Sequence, residues 1–416
     1  MPKYQALKGM RDILPGEVES WQELESQSRH FFEAHGFEEI RTPLLEPTEL
    51  FSRSIGEGSD IVHKQMYTFE DRGGRMVTLR PEMTASVLRA AIENGILRTS
   101  KTSRFYYLGP MFRAERPQKG RQRQFYQLGA EILSAKKIEG DIEIVSLTQG
   151  LFEFLDIPDF CLKHNYLGGQ SEREAYTQIL KDYFSSAKGK LCEDCHFRIE
   201  KNVLRVLDCK VPECQPVIES APAMKLSQES MEVYAEIQNG MRRLKIKTKH
   251  DPRLVRGLDY YTGLVFEVVA GGELGAQDAI AAGGRYDHLI ALLGGSQMGA
   301  TGFAAGMERI LLARKTSASM ADHTVYVATL DSTTETRNYF ERVVRRLYEI
   351  GKKVRHEPDI RTLTDHLKKA NKMGIKCVVI IGENEIRNQK LTVKNLETKV
   401  QEEVSLEELT SHLFEK

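Results

Sequence analysis

The chain has 416 residues, and its 59 Lys and Arg residues balance its 59 Asp and Glu residues, so the formal net charge is zero. This length exceeds what one hydrophobic core usually supports and predicts two or three domains. The balance excludes a protein that binds nucleic acid through a uniform excess of cations, although local basic patches can still contact phosphate. No apolar run approaches the roughly 20 residues that a membrane span needs, and charges near the start disfavour a signal peptide. We therefore expect a cytoplasmic protein with no membrane partner.

The first predicted element is a helix that ends at Gly36, where glycine supplies a left-handed stop. The residues that recur at helical spacing before it are Trp21, Leu24, Ser28, Phe31 and Phe32. A short strand is predicted over residues 37–42, closed by Pro43. Further strands are predicted at 76–79, 104–108, 125–131, 264–270 and 301–305. Because short turns or hairpins join most of them, we predict an α+β core, residues 1–166 and 249–320, built on a mostly antiparallel sheet with flanking helices.

Two further regions have a different character. Helical patterns such as residues 232–243 dominate residues 167–248, which predicts an inserted, mostly helical subdomain. After a small polar stretch at 315–322, residues 323–416 have the α/β pattern of a small independent domain. Its predicted elements are a strand at 325–330, helices at 335–350 and 363–373, a strand at 376–381, and a closing helix capped by Ser405 with Glu408.

Four of the six cysteines lie close together in the sequence. Cys192, Cys195, Cys209 and Cys214 have the spacing C-x2-C-x13-C-x4-C, which is close to four-thiolate zinc sites but has an unusually wide second pair. Free thiols that pack as small hydrophobic residues are the alternative, and we prefer it because no chemistry elsewhere in the chain requires a metal. The sequence thus leaves a structural zinc ion as the less favoured interpretation and predicts no catalytic metal.

Residues 112–131 are the best candidate for binding a charged ligand. Five basic residues, Arg113, Arg116, Lys119, Arg121 and Arg123, lie on a predicted strand-loop-strand, and the sequence has neither of the common glycine-rich nucleotide loops. Strand alternation places Phe125, Gln127 and Glu131 on one face. Arginines can neutralise phosphate, while an aromatic ring can stack on a base. A solvated hairpin with surface ion pairs explains the loop equally well on these grounds alone.

These residues also carry a family resemblance. FRAERPQKGRQRQF (112–125) resembles motif 2 of the class II aminoacyl-tRNA synthetases, GFAAGMERILL (302–312) resembles motif 3, and the first helix and strand resemble motif 1. TLRPEMTA (78–85) and RGLDYYTG (256–263) are similar to signatures of the histidyl-tRNA synthetase family, as are GMRDILP (9–15) and residues 52–74. The resemblance implies the class II synthetase fold, a C-terminal α/β anticodon-binding domain and a homodimer.

The resemblance also implies an activity. Members of the family activate L-histidine with ATP and Mg²⁺, releasing pyrophosphate, and then transfer histidine to the 3′ end of histidine tRNA. By resemblance Arg113 contacts the α-phosphate, Arg309 the γ-phosphate and Glu115 the adenine amino group, and Phe125 stacks on adenine. Arg256 is expected between the histidine carboxylate and the α-phosphate. Arg113, Arg256 and Arg309 are therefore the expected catalytic residues.

The histidine-binding residues implied by the resemblance are Glu82, Met83, Thr84, Arg113, Gln127, Glu131, Arg256, Tyr260 and Tyr261. Glu82, Thr84 and Gln127 match positions around the ammonium group, whereas Glu131 and the two tyrosines match the imidazole pocket. The family's stretch has glycine where this chain has Met83, whose side chain would either narrow the site or point into the core. Core packing of the tyrosines, and a helix N-terminus at Glu82, are the simpler structural explanations.

Contacts with tRNA are expected from the motif 2 loop, through Arg116, Gln118, Lys119 and Arg123, and from the C-terminal domain. The main alternative function is that of a non-catalytic paralogue, the regulatory subunit of ATP phosphoribosyltransferase. That paralogue generally lacks the anticodon domain and parts of the catalytic signature, which this chain retains. A class II synthetase for another amino acid is the second alternative, and RGLDYYTG together with Glu131 disfavours it.

Overall fold

The computed structural model describes residues 4–56, 59–99, 102–271, 279–314, 324–359 and 362–409. The chain divides into two compact units, Met1–Ser317 and Ala318–Lys416. Within the described ranges, no helix combines the length and the apolar character that a membrane crossing requires.

The α-helices of the first unit alternate with strands and vary in length from one turn to nearly five. In chain order they are α1 (Val18–Ala34), α2 (Thr48–Ile55), α3 (Thr84–Glu93), α4 (Ile96–Thr99), α5 (Glu139–Phe154), α6 (Gln170–Ser186), α7 (Glu193–Lys201), α8 (Gln215–Glu219), α9 (Gln228–Arg243), α10 (Leu289–Leu292) and α11 (Met307–Ala313). Shorter helical turns are a π-turn at Ile61–Gln65 and 3-10 turns at Lys188–Lys190, Val203–Asp208 and Pro212–Cys214. The second unit has α12 (Thr334–Glu349), α13 (Leu363–Lys372) and α14 (Glu383–Asn388).

The strands form two sheets in the first unit and one in the second. In chain order those of the first unit are β1 (Glu38–Glu39), β2 (Leu45–Pro47), β3 (Tyr67–Glu70), β4 (Met76–Leu79), β5 (Ser103–Phe112), β6 (Gln124–Leu133), β7 (Phe160–Tyr166), β8 (Thr248–His250), β9 (Thr262–Ala270), β10 (Ala279–Arg285) and β11 (Ala300–Gly306). The second unit has β12 (Thr324–Thr329), β13 (Lys353–Arg355), β14 (Cys377–Ile381), β15 (Lys390–Asn395) and β16 (Gln401–Ser405).

An eight-stranded sheet with the order β1-β5-β6-β11-β10-β9-β7-β8 forms the centre of the first unit. Its inner pairs are all antiparallel, and only the short edge strands β1 and β8 are parallel to their neighbours. The prediction of a mostly antiparallel sheet with flanking helices is therefore confirmed. A smaller sheet, β2-β4-β3, leads into α3.

The first predicted helix is α1, and all five residues that set its periodicity are buried. Gly36 follows it with φ +76°, a left-handed conformation that favours glycine. The ring of Phe32 stacks on Tyr106 of β5, with 5.1 Å between centroids, so α1 covers the sheet's outer face. The strand expected at 37–42 is shorter than predicted, since only Glu38 and Glu39 pair with β5.

The helical region between β7 and β8 packs as two separate parts. Helices α6 and α7 share a core in which Phe184 and Ile199 contact the cysteine cluster region. Helix α9 instead contributes Tyr234, Ile237 and Met241 to the core beneath the central sheet, against α5. The expected single subdomain at 167–248 thus differs from the observed packing, because the apolar face of α9 is buried with the catalytic core.

The second unit contains a five-stranded sheet with the order β13-β12-β14-β15-β16. The first three strands are parallel and alternate with α12 and α13, as the α/β pattern indicates. The hairpin β15–β16 was not predicted, because charged residues interrupt its alternation. Ser405 and Glu408 exchange the two hydrogen bonds expected of a capping box. The remainder of the predicted closing helix, at 410–416, and the polar stretch at 315–322 lie outside the described residues.

Candidate active site

A cleft of about 1050 Å³ opens over one face of the central sheet and collects most of the residues singled out from the sequence. The residues of that set that line it are Glu82, Thr84, Arg113, Glu115, Arg116, Gln118, Phe125, Gln127, Arg256, Tyr260, Tyr261 and Arg309. Glu131 lies beneath them, only 1% exposed. The strand alternation that placed Phe125, Gln127 and Glu131 on one face is thus what aims all three at this cleft.

The deepest part of the cleft is organised around the Glu131 carboxyl group. It accepts hydrogen bonds from Thr84 Oγ1 at 2.7 Å, from the Tyr107 hydroxyl at 3.3 Å, and from the Tyr286 hydroxyl. Burial raises the pKa of Glu131 to about 8, although these hydroxyl donors oppose that shift. The group can therefore exchange a proton near neutral pH with a ligand that carries a ring N–H.

Gly302 makes room for this carboxyl group. Gly302 lies opposite Glu131 in the β6–β11 register, and a Cβ atom on it would stand 1.7 Å from Glu131 Oε2. A side chain here would displace the carboxylate. The glycine is required by this close approach rather than by its backbone dihedral angles.

Glu82 closes the N-terminus of α3, where its carboxylate accepts the backbone N–H groups of Thr84 at 2.8 Å and of Ala85 at 3.0 Å. Burial raises the pKa of Glu82, while these bonds and the nearby Arg113 oppose the shift. The helix-cap explanation from the sequence is therefore correct in part. The carboxylate also lines the cleft, so capping and ligand binding are compatible.

Gln127 and the tyrosine pair form the walls above Glu131. The Oε1 atom of Gln127 is buried and has no hydrogen-bond partner among the described residues. Such an acceptor is costly unless a ligand donates to it. The rings of Tyr260 and Tyr261 are tilted by 51° with their centroids 4.8 Å apart, and the ring of Tyr286 meets Tyr260 edge-on at 5.6 Å. The side chains of Tyr260 and Tyr261 therefore both pack in the core and line the cleft.

Met83 does not line the cleft. Its side chain is 1% exposed, belongs to the core cluster beneath α3, and receives a weak contact from the Thr42 hydroxyl at 3.8 Å from the sulfur. Of the two orientations that the sequence left open, the structure has the one that points into the core. We therefore correct its place among the candidate histidine contacts: its effect on the pocket is through packing only.

Arg113 and Phe125 form a cation–aromatic pair at the end of the β5–β6 hairpin. The guanidinium carbon lies 5.1 Å from the ring centroid, and Nε donates to the Pro81 carbonyl at 2.8 Å. Burial lowers the pKa of Arg113, against the opposing pull of Glu115. The guanidinium is thus held in place before any ligand binds, as a preorganised cation requires.

Glu115 is paired with a residue of the predicted basic loop to which the family resemblance assigned no role. Its carboxylate forms an ion pair with Arg121, and Arg113 Nη1 lies 3.9 Å away on the other side. Glu115 is only 8% exposed, so this carboxylate is held between two cations. A nucleobase that donated a hydrogen bond to the Glu115 carboxylate would have to share this carboxylate with Arg121.

Arg256 reaches the cleft from the loop between β8 and β9, and Arg309 reaches it from α11. Arg256 is paired with Glu267 of β9. Burial is the largest single influence and lowers the pKa of Arg256, but Glu267, Tyr261 and Asp208 together outweigh it, so the pKa is raised. Arg309 begins near the N-terminus of α11 and donates to the carbonyl oxygen atoms of Gly120, at 3.1 Å, and of Ala279. Burial lowers the pKa of Arg309, reinforced by the neighbouring Arg121.

The four residues expected to contact tRNA divide into two pairs. Arg116 and Gln118 line the cleft, whereas Lys119 and Arg123 do not. Arg123 packs beneath the loop, where Nε donates to the Glu115 carbonyl at 3.1 Å and its backbone N–H donates to the Gly9 carbonyl at 2.7 Å. The GMRDILP segment thus holds the base of the loop.

Three residues of the site were missed in the sequence argument. Tyr286 lies in the glycine-rich stretch GGRYD (283–287), which the sequence analysis did not single out, and Tyr107 lies in an apolar strand that gave no polar signal. Glu267 had a recognisable signal, because it is the one charged residue in the otherwise apolar run 264–270. A buried carboxylate needs a partner, so such an isolated charge on a core strand indicates an ion pair or a ligand site.

An antiparallel sheet whose face carries preorganised arginines, an aromatic ring and a carboxyl-lined pocket has the architecture of the class II aminoacyl-tRNA synthetases. Comparison with known proteins narrows the class. A family model described as histidyl-tRNA synthetase matches residues 9–166 and 207–310, and one described as anticodon binding domain matches residues 324–416. The chain belongs to the histidyl-tRNA synthetase family, and its ligase activity follows from that membership.

Relatives and solved structures agree with this assignment. The chain is 43% identical over 413 residues to a histidine–tRNA ligase of Desulfatibacillum aliphaticivorans, covering 98% of this chain and 97% of that one. It is 42% identical over 421 residues to a histidine–tRNA ligase of Thermotoga maritima, covering 100% and 99%. The crystal structure of apo S. aureus histidyl-tRNA synthetase matches with TM-score 0.78 at 30% identity, over 99% of each chain.

One similar structure touches on the alternative function. The structure titled as an ATP phosphoribosyltransferase regulatory subunit/histidyl-tRNA synthetase from Bacillus halodurans matches with TM-score 0.64 at 19% identity, covering 92% of this chain and 99% of that one, and this shows a shared fold alone. The present chain has Arg113, Arg256 and Arg309 in one cleft and a C-terminal unit of the anticodon-binding type. These features disfavour the regulatory paralogue.

Proposed function

We propose that this chain activates L-histidine with ATP to form histidyl-adenylate and pyrophosphate, and then transfers histidine to the 3′ end of its tRNA. The observation that carries the proposal is the position of the Glu131 pocket in the same cleft as three cations, Arg113, Arg256 and Arg309. A pocket for an amino acid and a surface for a polyphosphate are thereby adjacent, as adenylate formation requires.

The amino acid would bind with its imidazole toward Glu131 and its ammonium toward Glu82 and Gln127. The unpartnered Gln127 Oε1 offers an acceptor to an ammonium group. Glu131, with its pKa near neutrality, can receive or share the proton of an imidazole nitrogen. An amino acid without a ring N–H would leave the buried Glu131 carboxyl group and its hydroxyl neighbours without a hydrogen-bond partner on the ligand. This loss accounts for selection of histidine at the binding step, without a separate editing site.

The nucleotide would lie along the Arg113–Phe125 pair. The ring of Phe125 presents an apolar face for adenine, Arg113 offers a cation to the α-phosphate, and Arg309 offers one to the γ-phosphate. Binding of the adenine amino group by Glu115 would involve rearrangement of its pair with Arg121. Mg²⁺ would neutralise charge on the triphosphate, and the Glu267 carboxylate is an oxygen donor of the kind this ion prefers.

Arg256 is proposed to act at the reacting centre. As the histidine carboxylate attacks the α-phosphorus, negative charge accumulates on the phosphoryl oxygens and on departing pyrophosphate. Arg256 is held by Glu267 within the cleft, so it needs little reorganisation when that charge develops. Arg113 would act on the same oxygens from the loop end of the β5–β6 hairpin.

The tRNA is proposed to approach the β5–β6 loop through Arg116, Gln118, Lys119 and Arg123, with the second unit contacting the anticodon region. The proposal includes a homodimer, supported by the resemblance of α1 and β1 to motif 1, and a cytoplasmic location, where tRNA serves translation. Light scattering of the purified protein at micromolar concentration should give twice the chain mass. A mass equal to that of one chain would contradict the proposed homodimer and would leave the proposed activity standing.

Amino-acid-dependent exchange of labelled pyrophosphate into ATP tests the activity directly. We expect exchange with L-histidine and with no other standard amino acid, because only histidine satisfies the Glu131 pocket. Exchange with another amino acid would overturn the specificity. Absence of exchange in a folded protein that binds histidine would instead support the regulatory paralogue.

A further inference from the structure

The four clustered cysteines converge in space. Their sulfur atoms all lie within 4.8 Å of one another, with 3.9 Å between Cys192 and Cys209. Four thiolates arranged as a tetrahedron around one zinc ion, with Zn–S bonds of about 2.3 Å, have sulfur atoms about 3.8 Å apart. The observed spacing therefore suits a single tetrahedral ion, and it weighs against the four separate thiols preferred from the sequence.

The surroundings of the sulfur atoms have the features of a metal site. Cys195, Cys209 and Cys214 are buried and Cys192 is partly buried, so the group is closed to solvent on most sides. The backbone N–H of Cys192 donates to Cys214 Sγ at 3.2 Å, and Gln215 Nε2 holds the Cys209 carbonyl at 2.6 Å. Such outer contacts orient thiolates toward a shared ion.

We propose that Cys192, Cys195, Cys209 and Cys214 bind one structural zinc ion. Four protein ligands fill a tetrahedral zinc coordination shell and leave no position for water or substrate, so the ion would stabilise structure and take no part in catalysis. The unusual C-x4-C pair is accommodated because the 3-10 turn Pro212–Cys214 folds the chain back toward Cys209.

The contacts of the segment between the cysteine ligands show which parts of the protein the zinc ion would keep in place. Helix α7 and the following 3-10 turn carry Arg198 and Arg205, whose guanidinium groups lie 3.1 Å and 3.5 Å from Asp60 Oδ2. Asn202, between them, donates to Asp259 of the RGLDYYTG stretch. These contacts join the cysteine segment to two loops of the cleft.

Crosslinking both ends of this segment through one ion would restrain α7 and keep its two arginines on Asp60. Gly257 fits the same arrangement, because a Cβ atom there would stand 2.7 Å from Arg205 Nη1. Since Gly257 and Asp259 lie between Arg256 and Tyr261, loss of the ion would disturb the histidine pocket indirectly. The zinc thus acts as a positioning element for one wall of the cleft.

Elemental analysis tests the proposal. The full chain, purified without metal-affinity steps from medium with no added zinc, should contain about one zinc and little iron per chain. Cys209→Ser should reduce bound zinc at least fivefold, whereas Cys161→Ser, outside the cluster, should retain it. Wild-type protein with less than about 0.1 zinc per chain, or with iron in its place, would overturn the proposal, as would full zinc retention in Cys209→Ser.

Two measurements on the wild-type protein remain informative if the cysteine variant fails to fold. Replacement of the metal by Co²⁺ should give the intense thiolate-to-cobalt absorption of a four-sulfur tetrahedral site. Reaction with a thiol reagent should release zinc in proportion to the thiols modified. After this release, the KM for histidine should rise by a larger factor than the turnover number falls. Absence of the cobalt absorption, or a mass two hydrogens short with no zinc, would indicate a disulfide instead and contradict the proposal.

Discussion

Glu131 is a carboxyl group in a place where a negative charge is costly. Every oxygen it presents meets a hydroxyl group of Thr84, Tyr107 or Tyr286, and no cation is among its hydrogen-bond donors in the described structure. Burial is therefore the dominant influence, and it favours the protonated form. We propose that the pocket selects histidine because this buried carboxyl group, whose pKa burial raises to about 8, can share a proton with an imidazole ring.

Replacing Glu131 with Gln should change how stability depends on pH. The folded pKa of about 8 lies above the ordinary value of 4.5, so the wild-type stabilisation is fully present below pH 4.5 and is lost as pH rises toward 8. Relative to Glu131→Gln, the wild-type free energy of unfolding should fall by on the order of a few kcal/mol across that window.

Urea unfolding of both proteins at several pH values between 4 and 9 measures the difference. Glu308, whose pKa burial raises to about 7, contributes a change of the same sign to both proteins and cancels in the comparison. Parallel stability curves would show that Glu131 ionises normally and would contradict the proposed proton-sharing pocket.

Arg256→Ala should lower turnover far more than it weakens histidine binding. The cation is proposed to act on charge that develops in the transition state, and loss of one such donor costs about a hundred- to a thousandfold in rate. Single-turnover adenylate formation and histidine binding measured separately distinguish the two effects.

The nearby exposed Arg253 is the matched control, and Arg253→Ala should leave both quantities near wild type. A variant of Arg256 whose defect lies wholly in histidine affinity would assign this residue to ground-state binding.

At the scale of elements, two inner strands of the central sheet escaped prediction. Strand β10 consists mainly of Ala and Gly, which have no apolar–polar alternation, and its glycines are needed because Phe266 and Phe303 crowd Gly283. Strand β7 alternates weakly because both of its faces are covered. Pattern analysis detects strands that alternate or that are continuously apolar, as β9 is, and neither β7 nor β10 has such a pattern.

The helices that were predicted individually have accurate bounds, although others, such as α5, were not predicted. The periodicity of α1, α12 and α13 reproduced their extents within three residues at each end, because each buries a single apolar stripe. Helix α9 was also predicted, but the element against which it packs was not. An apolar stripe shows that one face of a helix is buried, and it does not show which element covers that face.

The buried ion pair between Arg285 and Asp141 joins β10 to α5. It leads to a prediction about the free energy of unfolding. The two side chains are 1% and 0% exposed and lie 2.8 Å apart. Asp141→Ala should reduce the free energy of unfolding by about 3 kcal/mol, the low end for breaking a buried pair, because among the described residues the guanidinium keeps only Asp287, 2.9 Å away, as a carboxylate partner.

The partly exposed pair Arg104–Glu143 is the control, and Arg104→Ala should cost about 1 kcal/mol or less. Replacing both buried partners, as Asp141→Leu with Arg285→Met, should recover part of the loss in urea unfolding experiments. Equal effects of Asp141→Ala and Arg104→Ala would show that burial does not govern the strength of these pairs.

At the scale of the whole molecule, the cleft belongs entirely to the first unit, and the second unit has a hydrophobic core of its own. The chain's zero net charge is compatible with a tRNA partner because cations are concentrated at the cleft and loop, including Arg113, Arg116 and Arg121. A binding surface needs local charge, and an enzyme that releases its product gains nothing from a uniform excess.

A chain ending at residue 317 should retain histidine-dependent pyrophosphate exchange within a fewfold of the full protein, since it keeps the whole cleft. Aminoacylation of tRNA should fall at least tenfold in kcat/KM because the anticodon-type unit is lost. Both assays use the same preparation, with circular dichroism to confirm folding. Loss of exchange in a folded truncated chain would show that the second unit is required for the chemistry.

The sequence by itself determined the family, the mostly antiparallel core and the set of residues around the cleft, because long motifs fix residue types at positions where chemistry tolerates little change. Tertiary structure decided the partners: Glu267 with Arg256, Arg121 with Glu115, and Tyr286 with Glu131. It also decided that Met83 faces the core and that four cysteine sulfurs meet. These facts depend on contacts between residues distant in the chain, which local periodicity and spacing cannot specify.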